Sequence, residues 1–104
     1  MPVEGDLLER AQEWISREVK RAEKLAEISE VEVSPSDREH RSVSWILNGK
    51  DFMAQVVLWE SGEFESDFAD VATEEVQTKG GLVASLTELE RLLESARDWL
   101  LQGA

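Results

Sequence analysis

An α+β domain is what this 104-residue sequence predicts: an N-terminal helix, an antiparallel β-meander of four to five strands and a C-terminal helix, with both helices on one sheet face. Three observations lead there. Apolar residues recur at helical spacing at both ends of the chain; between them the period drops to two; and the strand-like stretches are punctuated by Asn- and Gly-bearing turns rather than by further helices. One domain over residues 1–104 is expected, and a chain of this length buries roughly 65% of the surface its unfolded form exposes.

Asp6 is placed to cap a helix from about Leu7 to Ile28, whose apolar stripe includes Leu7, Ala11, Trp14, Ile15, Val19, Ala22 and Leu25. Its other face, with Glu13, Arg17, Lys20 and Arg21, is solvated. Val31 and Val33 then alternate with Glu30, Glu32 and Ser34 as a strand, until Pro35 stops it. After the polar loop PSDREHR, Ser42 to Leu47 and Asp51 to Trp59 read as two strands joined by Asn48-Gly49, the dipeptide that suits a type I′ turn. That turn opposes Leu47 to Lys50, Trp45 to Phe52 and Val43 to Ala54, and it puts Val43, Trp45, Ala54, Val56 and Leu58 on the core face.

The connection after Trp59 allows two registers, and burial chooses between them. A two-residue loop at Ser61-Gly62 opposes Leu58 to Glu65 and Val56 to Asp67, which buries carboxylates. A three-residue loop with Gly62 in the left-handed conformation opposes Leu58 to Phe64, Val56 to Ser66 and Ala54 to Phe68. Burying one unpaired carboxylate costs at least several kcal/mol, so the second register is expected. Glu63, Glu65 and Asp67 then point away from the helices, beside Trp59, Val57 and Gln55. A further strand is expected from Glu75 to Lys79 after a turn at Thr73-Glu74, and Gly80-Gly81 reads as a break. Ser85 or Thr87, with Glu88 or Glu90 three residues on, opens the last helix; its stripe is Leu86, Leu89, Leu92, Leu93, Ala96, Trp99 and Leu100, and Gly103 is placed to end it.

Net charge is −12, and it is unevenly placed. Asp51 to Thr78 holds eight acids and no Lys or Arg, whereas the rest of the chain is nearly balanced. Nucleic acid and anionic membranes would repel such a chain, so neither is expected as a partner; a basic protein is. Cysteine is absent, which suits a reducing cytoplasm, and the N-terminal MPVEGDLLERAQEWIS has no signal-peptide pattern.

Catalytic chemistry finds little to stand on. His40 is the single histidine, so no metal set or nucleophile–base pair can be completed with Cys or a second His. Carboxylates alternating along an open strand stand in water and lack the pocket that would separate an acid from a base. No enzyme, cofactor or metal is therefore expected. Trp59 differs from Trp14, Trp45 and Trp99 in lying off the core periodicity, and an aromatic ringed by charge is a common interface anchor. The candidate partner-binding residues are Trp59, Glu60, Glu63, Glu65, Asp67 and Asp70. The apolar strip over Met53, Val57 and Trp59 fits a partner or a second copy of the chain, so a homodimer is an open alternative.

The stretch VVLWESGEFESDFADVATEE, following a β-hairpin and an N-terminal helix, resembles the TriTu immunity proteins of bacterial polymorphic toxin systems. The resemblance implies a cytoplasmic antidote that binds and blocks a cognate ADP-ribosyltransferase-type toxin, one aimed at elongation factor Tu. The alternative is a small acidic secretion chaperone that holds an effector protein.

Overall fold

The computed structural model describes residues 4–33 and 41–101. Helix α1 (Glu4–Arg21) is followed by a short α2 (Glu23–Ile28), strands β1 (Ser29–Val33), β2 (Ser42–Asn48), β3 (Phe52–Trp59), β4 (Glu63–Asp70) and β5 (Glu75–Leu82), and helix α3 (Leu86–Leu101). The strands form one antiparallel sheet in the order β1-β2-β3-β4-β5. The expected α+β meander, with helices on one sheet face, is therefore the observed architecture.

One core lies between the layers. Leu7, Leu8, Ala11, Trp14 and Ile15 of α1 and Leu89, Leu93, Ala96 and Leu100 of α3 are buried against Val43, Trp45 and Leu47 of β2 and Ala54, Val56 and Leu58 of β3. α1 lies over β2, and α3 over β3. Trp14 meets Trp45 edge-on at 5.9 Å, and Arg97 of α3 lies over the Trp14 ring at 5.6 Å. The same guanidinium donates to Glu18 of α1 at 2.6 Å, tying the helices together, and this bond is the first of the causes that raise its pKa above the ordinary arginine value. Trp99 is only half-buried: it stacks on Phe68, meets Phe52 edge-on, and donates its indole N–H to the Ala69 carbonyl at 3.1 Å.

Four expectations are corrected. The N-terminal helix begins at Glu4, ahead of Asp6, and breaks at Ala22; the short α2 then runs straight into the sheet edge at Ser29 with no linker between α2 and β1. The first hairpin is not a two-residue type I′ turn: neither Asn48 nor Gly49 has positive φ. Asn48 instead pairs with Met53, Leu47 with Ala54, Trp45 with Val56 and Val43 with Leu58. This slide by an even number of residues leaves every face unchanged. It removes Lys50 from the ladder into the exposed loop and gives fully buried Leu47 an apolar neighbour. Gly49 is still required, since a Cβ there would sit 2.6 Å from the Phe52 carbonyl oxygen and 2.8 Å from Leu100. Lastly, Gly80-Gly81 does not break the strand: both lie within β5, paired with Glu65 and Phe64. Pro35 to His40, which make up the PSDREHR loop except its last residue Arg41, and Gly103 lie outside the described residues.

The second hairpin has the expected register. Leu58 opposes Phe64, Val56 opposes Ser66 and Ala54 opposes Phe68, with Gly62 at φ 98° donating to the Trp59 carbonyl at 2.9 Å. Ser85 caps α3 through its hydroxyl, which accepts from the Glu88 amide at 3.2 Å; the Glu88 carboxylate reaches back to the Ala84 amide at 2.6 Å.

Candidate functional site

Strand alternation sends every second residue of the sheet away from the helices. On β3 these are Met53, Gln55, Val57 and Trp59; on β4 they are Glu63, Glu65, Asp67 and Ala69. The pairing then builds rows across the sheet. Ile46, Gln55, Asp67 and Thr78 form one, and Ser44, Val57, Glu65 and Gly80 the next. From β1, Glu30 lies opposite Ile46 and Glu32 opposite Ser44, so both join the same face.

The result is an apolar strip, Met53, Ile46, Val57 and Trp59, between carboxylates of β1 on one side and of β4 on the other. Among the described residues this face carries five acids and no Lys or Arg. Lys79 opposes Ser66 and so lies on the helix side of β5. Glu63 and Glu65 are exposed and make no ion pair among the described residues. Asp67 is half-buried and accepts a hydrogen bond from the Thr78 hydroxyl at 2.8 Å. Glu65 stands beside the bare backbone of Gly80, with no side chain there to shield it.

Of the six residues singled out in the sequence, four share this face: Trp59, Glu63, Glu65 and Asp67. Glu60 turns toward the helix side and pairs with Arg41 at 3.0 Å, while its amide donates to the Arg41 carbonyl. Asp70 also lies on the helix side, opposite Phe52 and Glu75, and its carboxylate accepts from the Ala72 and Thr73 amides at 3.1 and 3.4 Å, closing the loop before β5. Sequence reasoning did not place Glu30 and Glu32 at the site. Their alternation with Val31 and Val33 is visible in the sequence, but the strand order that brings β1 beside β2 is not.

The far side of the sheet differs in character. A groove of about 290 Å³ opens between α3 and the β4–β5 pair, floored by Phe64, Phe68 and Leu92, with Lys79 and Arg91 at its rim. It leaves the helix side of β5 uncovered. Among the described residues no three His, Cys, Asp or Glu side chains converge as a metal site requires, and no helix is long and apolar enough to cross a membrane.

The family model for the immunity protein TriTu matches residues 9–99, from α1 through all five strands to Trp99 in α3. The chain belongs to the TriTu immunity protein family. No curated protein and no solved structure matches it. Membership assigns an immunity role, and the partner class of a TriTu protein is accordingly a toxin. The matched segment contains the whole open face, so the acid-flanked strip is part of the TriTu domain itself.

Proposed function

We propose that this TriTu protein neutralises its toxin by docking the open sheet face, through Trp59, Glu63, Glu65 and Asp67, onto a cationic surface of an ADP-ribosyltransferase-type enzyme. The observation that carries the reading is the five-acid, base-free face with an apolar strip along its middle. An enzyme that grips the phosphates of a dinucleotide needs a cationic cleft, and a row of carboxylates can occupy it in place of the phosphates. Trp59 and Val57 supply the apolar area that exposed charge pairs alone do not, since such pairs are each worth about 1 kcal/mol or less. Glu60 and Asp70 brace the ends of β3 and β4 rather than forming the face. The protein acts without catalysis and in the cytoplasm, where the toxin would do harm. Family membership favours this over the secretion-chaperone alternative.

The test is charge reversal. Glu63→Lys, Glu65→Lys and Asp67→Lys together are expected to abolish protection of cells that express the toxin, while the purified variant keeps its circular dichroism spectrum and unfolding transition. Full protection by a folded triple variant rejects the face as the docking site.

A further inference from the structure

The last strand of the sheet has an unpaired edge and a charge pattern that complements itself. β5 is exposed along all eight residues; β4 takes one edge, and among the described residues nothing pairs with the other. The groove beside α3 leaves its helix side open as well. Such an edge presents free amide and carbonyl groups that template a further strand. Glu75 and Lys79 lie on the same side of it, both exposed, and neither forms an ion pair among the described residues. Within its own sheet Glu75 faces Asp70, a like charge and an unfavourable cross-strand neighbour. Gly80 adds a second mark. Its φ is not positive and a Cβ there would meet only the Phe64 carbonyl oxygen at 3.5 Å, so internal packing does not demand glycine. Glycine inside a strand often marks the close approach of another backbone.

We propose that β5 pairs antiparallel with β5 of a second copy about a two-fold axis at Gln77, joining two five-stranded sheets into one. Pairing centred on Gln77 opposes Glu75 to the partner's Lys79 and Lys79 to the partner's Glu75, the same contact made twice, as an isologous interface requires. Each Glu75 then gains the cation that its own sheet denies it. Val76, 64% exposed, comes to lie against the partner's Thr78. Antiparallel pairing keeps the faces in register, so both acidic faces point the same way and the dimer offers two toxin-docking surfaces side by side. Their β4 acid rows are three strand spacings apart, about 14 Å, beyond the ~8 Å Debye length at physiological ionic strength, so the net charge does not forbid the contact.

The full chain, followed by light scattering from about 1 to 500 µM at ~0.15 M salt, is expected to rise from the mass of one chain to that of two. Glu75→Lys or Lys79→Glu alone is expected to weaken association at least roughly tenfold, because each sets like charges opposite one another twice. An equimolar mixture of those two variants is expected to associate as a heterodimer, and the double swap to restore the homodimer. Gln77→Cys, on the axis in a chain without other cysteines, is expected to form a covalent dimer on oxidation, whereas Thr87→Cys on α3 does not. A single-chain mass at every concentration together with no Gln77→Cys dimer overturns the proposal. So does a dimer indifferent to the single reversals.

Discussion

Trp59 ends β3 half-buried, and it is not among the aromatic rings that pack on the core. Its large apolar surface is therefore free for a partner in a way that Trp14 and Trp45 are not. Trp59→Ala is expected to weaken toxin binding by about 30-fold or more, the loss typical of a buried interface tryptophan, while shifting the urea unfolding midpoint little. Titration calorimetry against the purified toxin, paired with denaturation, checks both halves. Trp45→Ala, by contrast, would empty a core position that is 1% exposed. Single residues were legible in the sequence where period-two alternation, joined for Glu63, Glu65 and Asp67 to the cost of burying a carboxylate, fixes their side of the sheet, as it does for Trp59. Glu60 and Asp70 were not fully legible, because their roles depend on Arg41 and on the loop amides that the fold brings to them.

At the scale of elements, the two hairpins make an instructive pair. For β3–β4 the sequence offered two registers, one of which buried Glu65 and Asp67, and the structure adopts the other. For β2–β3 the Asn48-Gly49 turn signal prevailed over the same burial rule, although it set Lys50 opposite Leu47. The structure obeys burial and slides the register. Turn types differ by tenths of a kcal/mol, whereas an ammonium pressed on the core costs several, so burial wins both times. Gly62 then carries the geometry of the proposed docking face. A Cβ at its φ of 98° is strained and would lie 3.0 Å from the Val83 carbonyl oxygen. Gly62→Ala is expected to lower unfolding free energy by about 1–2 kcal/mol in urea titration, with a matching loss of toxin protection at raised temperature.

Across the whole molecule, charge is uneven: the helices mix eleven acids with seven bases, whereas the open sheet face carries five acids and no Lys or Arg among the described residues, so a cationic partner is expected to be drawn to that face. Association with the toxin is therefore expected to slow at least about tenfold between ~10 mM and ~150 mM salt, as the Debye length falls from ~30 to ~8 Å, with a much smaller change in dissociation rate. Stopped-flow fluorescence at several salt concentrations measures this directly. A rate insensitive to salt would mean that the open face does not steer the encounter.

By itself, the sequence determined the helical ends of the chain, the antiparallel hairpins between them and which of their side chains share a face, because these follow from local periodicity and the cost of burying charge, and an even slide of register does not alter them. Tertiary structure alone decided the register of the first hairpin, the break at Ala22, the continuation of β5 through Gly80-Gly81 and the arrival of Glu30 and Glu32 beside the apolar strip. Each of these depends on which distant backbone lies alongside, and that is settled by packing over the shared core, not by any run of neighbouring residues.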